Sequence, residues 1–213
     1  IFSIYVLGIA ASLLSAILLS RRVMKGEKSS FLLELPEYRF PTARNLFLHT
    51  WDKVKGFVVK AGTVLLLSCI VIWFLQTFDF SLRMVENSEN SIFGQIGKLI
   101  APVFAPLGFG DWRAAIALLT GIIAKEAVVG TLGILFAVED VSVAALAAPL
   151  SAVFTPAAAY AFLVFVLLYV PCVAALATMY REMRSLKWTL FTIAYELALA
   201  WVLAFVVFQT GRL

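Results

Sequence analysis

The sequence predicts an all-α fold, a polytopic transmembrane helical bundle with re-entrant or broken helices. Three observations carry the expectation. Of the 213 residues, 62% are hydrophobic and only 14% charged, and mean hydropathy is +0.98. Soluble domains run near ~45–50% apolar and ~25% charged, and a chain this short has too much surface for its volume to hide the excess from water. Apolar runs also recur at the ~20-residue length that crosses a bilayer. Finally, two further apolar stretches are too short to cross and contain proline.

The elements follow in order. Residues 1–20 form an apolar run ended by Arg21 and Arg22. A signal peptide places its basic residues before the run and a cleavage site after it. Here the basic residues follow and no Met opens the chain, so a spanning helix of a longer protein is expected. Between Arg21 and Lys60 stand nine Lys/Arg against four Asp/Glu, which makes this loop cytoplasmic by the positive-inside rule. Residues 57–78 are the second expected span. The stretch 79–91 carries Asp79, Glu86 and Glu89 against Arg83, which suits the opposite side. Residues 92–107 are apolar but short and hold Pro102 and Pro106; residues 143–154 are alanine-rich and broken by Pro149. Three more spans are expected at 114–137, 157–180 and 188–209. Arg181, Arg184 and Lys187 mark a second cytoplasmic loop between the last two.

Five simple crossings do not close with both basic loops inside. One short piece must cross or dip, and 92–107 is the expected one. Broken segments at membrane depth are tolerated where they line a cavity or are buried in protein, and transporters place their binding sites there. Trp51, Trp112, Trp188 and Trp201 suit the interfacial aromatic belt.

Within this apolar background, a few residues can carry chemistry. Lys125 and Glu126 sit mid-way along 114–137, where each charge costs ~2.5–3.5 kcal/mol on insertion scales. As neighbours they point about 100° apart on a helix, so they need not pair with each other. Glu126, Gly130 and Gly133 share a helical face, and the glycines would let another backbone approach the carboxylate. The pair either lines a pathway or forms ion pairs that only fix packing; Glu196 in the last span is a possible partner for Lys125. In 157–180, Pro171 has no N–H for the Leu167 carbonyl. The expected kink leaves a free carbonyl one turn before Cys172. Oxygen beside a soft sulfur makes a transient site for a borderline divalent cation such as Fe2+. The bland alternative is a kinked helix with a small apolar cysteine. Cys69, without a proline, reads as core packing.

Phosphate-cradling, zinc-protease and serine-hydrolase motifs are all missing: the GQIGKL stretch at 94–99 fails the P-loop spacing, and one histidine cannot build a zinc site. The chain is not expected to be an enzyme. Its expected partners are the lipid bilayer and a solute, with no nucleic acid.

Six stretches carry a family resemblance: LELPEYRFP at 33–41, HTWDKVKGF at 49–57, AGT at 61–63, APVFAPLG at 101–108, GIIAKEAVVGT at 121–131 and FVLLYVPC at 165–172. Together they resemble, in order along nearly the whole chain, the membrane region of the ferrous iron transport protein B family. The resemblance implies three parts: 1–56, a transmembrane helix plus the basic segment between Gates; 57–182, a second Gate-type membrane domain; and 183–213, a C-terminal transmembrane helix. It implies Fe2+ as the transported substrate, metal contacts at Cys172 and Glu126, and pathway or structural roles for Pro171, Lys125, Gly130 and Gly133. It also implies an upstream G domain that binds GTP and a first Gate in the same protein, a bacterial inner-membrane location and an oligomer as a possible state. No cofactor is expected in this chain itself. The rival expectations are a Gate-type nucleoside or other small-solute transporter, and a membrane assembly module with no cargo.

Overall fold

The computed structural model describes residues 2–22, 42–85, 88–125, 127–136 and 143–212. Among them the regular structure is helical, apart from one bridge pair between Phe78 and Met84. The chain divides into two compact units, Ile1–Thr63 and Val64–Leu213.

The first unit begins with α1 (Phe2–Arg22), as the apolar run predicts. Its large side chains face outward, Phe2 being 82% and Leu14 68% exposed, a surface that only lipid or protein can cover. Next comes α2 (Ala43–Thr77), a 35-residue helix. It starts well before the predicted position 57, because the basic stretch from 43 holds good helix formers and no proline. The expected division between 56 and 57 therefore falls inside one continuous helix.

At the end of α2 the chain turns through a short clasp in which Val85 N–H donates to Thr77 O and Ile92 N–H to Phe78 O, both at 2.9 Å. Helix α3 (Ile92–Phe104) starts at a Ser91 cap whose Oγ accepts from Gly94 N–H at 3.0 Å. A side chain at Gly94 would strike the Ser88 and Glu89 carbonyls, so only glycine fits there. Lys98 bonds Glu89 at 2.8 Å across this clasp, and the ammonium holds the exposed Glu89 carboxyl below its ordinary range. A 3-10 turn at Ala105–Leu107 ends in Gly108, at φ +85°, and α4 (Trp112–Ile123) leaves at 101° to α3. Asp111 Oδ1 caps α4 by accepting from Arg113 N–H at 2.7 Å.

The predicted span 114–137 is not one helix. Helix α4 stops at Ile123, and α5 (Ala127–Leu135) follows after a turn. On a straight helix Thr120 and Thr131 would lie about 16 Å apart; their hydroxyls are 3.0 Å apart. Arg113 lies over the Phe136 ring at 4.7 Å. A Cβ on Gly121 would meet Val128. The pairs 113–136, 120–131 and 121–128 run in antiparallel order, so α4 and α5 form a helical hairpin with Lys125 at its tip. At ~1.5 Å per residue its arms are roughly 18 and 14 Å long, about half of a ~30 Å hydrocarbon core.

After α6 (Val143–Val153), Thr155 caps α7 (Pro156–Leu168), with proline at the favoured first position. The chain is then extended at Tyr169 and at Cys172 before α8 (Val173–Met183). This is a full break where the sequence predicts a kink. The residue before a proline is pushed out of the helical region; Val170 takes that restriction, and Tyr169 is extended as well. Together α7 and α8 still form one apolar stretch, Pro156–Met183, long enough to cross a membrane. The last helix, α9 (Leu186–Gly211), is the third such stretch among the described residues, with α1.

The core joins the α4–α5 hairpin to α7 and α9. Ala158, Ala161, Ala200 and Ala204 are at most 1% exposed where α7 meets α9; such small residues bring helices close in lipid, where van der Waals packing rather than the hydrophobic effect holds them. Phe109, Phe162 and Phe165 interlock, with ring centroids 5.3 and 5.9 Å from Phe109. Trp201 Nε1 donates to Val103 O at 3.1 Å, tying α9 to the end of α3. The last helix is thus part of the same packed unit as the segment the resemblance assigns to the Gate.

Candidate functional site at two helix breaks

Two interruptions of regular backbone meet. One is the hairpin tip after α4; the other is the 169–172 break between α7 and α8. Helix ends leave N–H and C=O groups without intrahelical partners, so this junction concentrates polar backbone inside an apolar bundle. Lys125 Nζ donates to Leu167 O at 3.4 Å and stands 5.3 Å from the centre of the Tyr169 ring. The Leu167 carbonyl is the one predicted to be freed by Pro171, and a lysine from the other break meets it. Tyr169, 3% exposed, donates its hydroxyl to Leu118 O at 3.4 Å. It packs directly over Gly121, where any side chain would collide with its hydroxyl oxygen. Gly121 therefore lets the tyrosine span both breaks.

Cys172 is the N-cap residue of α8, half-buried and free, so its sulfur sits at the positive end of a helix dipole. Lys125 interacts electrostatically with Cys172 and with Glu196. Glu196 lies near the middle of α9, and its Oε2 is buried with no hydrogen-bond partner among the described residues. An unmet buried carboxylate oxygen costs ~1–3 kcal/mol or more. Thr120 Oγ1 donates to Ala117 O at 2.8 Å, so the buried Thr131 hydroxyl is left as donor in the Thr120–Thr131 bond that closes the hairpin.

The sequence-predicted residues divide as follows. Lys125, Pro171 and Cys172 come together at the junction. Glu126 lies outside the described residues. Gly130 has open space where a side chain would start among the described residues. Gly133 is buried on α5. Cys69 falls in α2, and its side chain is not described. Among the described residues, no three His, Cys, Asp or Glu side chains converge as a metal cage. Sequence reasoning missed Tyr169 and Gly121, although both stand in the quoted motifs.

Comparison with known proteins adds an independent line. Residues 1–53 match the family model described as ferrous iron transport protein B C terminus, and residues 58–186 match the Gate model described as nucleoside recognition. The Fe(2+) transporter FeoB of Staphylococcus aureus strain COL is 38% identical over 213 residues, all of this chain and 32% of its own length. That of Methanocaldococcus jannaschii is 39% identical over 220 residues, with the same coverage. An Fe(2+) transport protein A/Fe(2+) transporter FeoB fusion protein of Porphyromonas gingivalis is 33% identical over 258 residues, covering the whole chain and 30% of the relative. The chain thus spans about a third of the length of the curated relatives it matches. No solved structure matches it.

Proposed function

Because the chain belongs to the Gate family, in the form found in ferrous iron transport B proteins, we propose that it forms part of the membrane pathway through which Fe2+ is taken up. The single observation that carries this reading is the meeting of the hairpin tip with the 169–172 break, where Lys125 bonds the Leu167 carbonyl and lies within electrostatic reach of Cys172 and Glu196. A permeation site must replace part of an ion's water shell yet release the ion. Carbonyl oxygens with one soft sulfur and one carboxylate suit Fe2+ in that role.

The hairpin also supplies a topology. From the acidic 79–91 segment outside to the basic Arg181–Lys187 turn inside, an odd number of crossings is needed. In this reading the hairpin enters and leaves on one side and α7–α8 crosses once, while 92–107, bent by 101° against α4, dips without crossing. In the same reading, a GTP-binding domain and a first Gate elsewhere in the full-length protein control this pathway, in the inner membrane of a bacterium, and the chain itself performs no catalysis. Glu126, next to Lys125 in sequence, lies outside the described residues and is the further residue to test by substitution.

The description of the Gate model favours one other reading, passage of a nucleoside. A ribose or base needs several hydrogen-bonding side chains, and the junction offers Lys125, Tyr169 and Glu196 for that task. Uptake by the full-length protein in proteoliposomes tests both. Radioactive Fe2+ should accumulate and labelled uridine should not; uridine uptake without iron uptake would reverse the assignment.

A further inference from the structure

A lysine at the tip of a hairpin inside a membrane is costly and needs a reason. Among the described residues the Lys125 ammonium makes two contacts, and both are of the kind a metal cation takes: the lone pairs of Leu167 O at 3.4 Å and the Tyr169 ring face at 5.3 Å. The carbonyl is available because α7 ends at Leu168 and the chain beyond it is extended, which leaves the last carbonyls without intrahelical partners. The other groups in electrostatic reach are Cys172 and Glu196, a sulfur and a carboxylate. Glu196 leaves Oε2 buried with no hydrogen-bond partner among the described residues. A lysine serving only as a fastener would close that carboxylate; here Glu196 Oε2 stays without a hydrogen-bond partner among the described residues although its charge reaches Lys125.

We propose that the Lys125 ammonium is a tethered stand-in for the transported cation, resting among these donors when the pathway is empty and displaced by an arriving divalent ion. The inference rests on the reading that the chain conducts Fe2+. Two positive charges repel too strongly to share a site in a low-dielectric interior, so occupancy by metal and by lysine alternates. The flexible four-carbon stem lets the ammonium leave and return without moving the hairpin. Its return then supplies the release step that a site of sulfur and oxygen donors would otherwise slow.

The test uses the full-length protein in lipid nanodiscs without oxygen. Lys125→Met keeps the stem and removes the charge. Fe2+ binding should tighten by roughly tenfold, the scale of removing one like charge nearby, while uptake in proteoliposomes slows. A second measurement needs no variant: acetylation of Lys125 in the wild-type protein, read by peptide mass spectrometry, should rise when Fe2+ is added. Unchanged or weaker Fe2+ binding by Lys125→Met, or acetylation that stays level or falls with Fe2+, overturns the proposal and leaves Lys125 a fastener. Wild-type uptake would survive that outcome, so the transport reading would stand. Wild-type protein that takes up no Fe2+ would remove both.

Discussion

Cys172 and Cys69 are chemically the same residue in different settings. Cys172 begins a half-helix beside a backbone break, whereas Cys69 lies inside the unbroken α2. Cys172→Ser removes a soft sulfur and keeps a weak oxygen donor, so Fe2+ uptake by the full-length protein should fall roughly tenfold, about 1.4 kcal/mol. The loss should be smaller for Mn2+, which prefers oxygen, and Cys69→Ser should stay near wild type. Glu126→Gln should also lower iron uptake at normal membrane expression. Equal losses for both metals would point to packing instead of coordination. Gly121→Ala puts a methyl group against Tyr169 and Val128; overpacking of this kind costs ~1–3 kcal/mol. It should lower the thermal midpoint in detergent, and replacing Tyr169 by Leu in the same protein should restore part of the loss.

Among the elements, the re-entrant hairpin was the hardest to foresee. Residues 114–137 read as one uninterrupted apolar run, and hydropathy does not register a change of direction. The turn follows from Gly121, which admits Tyr169, and from Thr120 and Thr131, which bond across the fold. Each is an ordinary residue whose meaning depends on a partner distant in sequence. The 169–172 break was half legible, because Pro171 announces a disturbance but not its extent. By contrast, α1 and α9 agree with their apolar runs closely, since length and hydropathy decide a simple span. The tip between α3 and α4 offers a further test. Gly108 sits at φ +85° with the Phe208 ring where its side chain would be. Gly108→Ala should cost ~1–3 kcal/mol from strain and crowding. Adding Phe208→Leu should recover the steric part and leave the backbone part, measurable as two separate shifts in unfolding midpoint.

For the whole molecule, the proposed sidedness rests on charge placement. Ser81 lies in the acidic turn and Ser185 in the basic one between α8 and α9. In a background without native cysteines, Ser81→Cys should react with a membrane-impermeant maleimide in intact cells and Ser185→Cys should be spared. The opposite pattern would invert the orientation. Labelling of both would mean an even number of crossings between them, with 92–107 crossing as well as α7–α8. The family was legible because its motifs coincide with the two breaks. The meeting of those breaks was not, since Lys125 and Leu167 stand 42 residues apart.

That separation also orders events during synthesis. Lys125 enters the membrane first, on a hairpin that its own hydroxyl pair can close. The exposed Leu167 carbonyl arrives later, at the end of a 13-residue helix too short to cross alone. A donor is therefore waiting for the break before the break is made, and Glu196 comes within electrostatic reach of Lys125 only when the final helix is threaded. Ribosomes arrested before residue 196 should carry a chain whose hairpin is already in lipid but whose charges are not yet balanced.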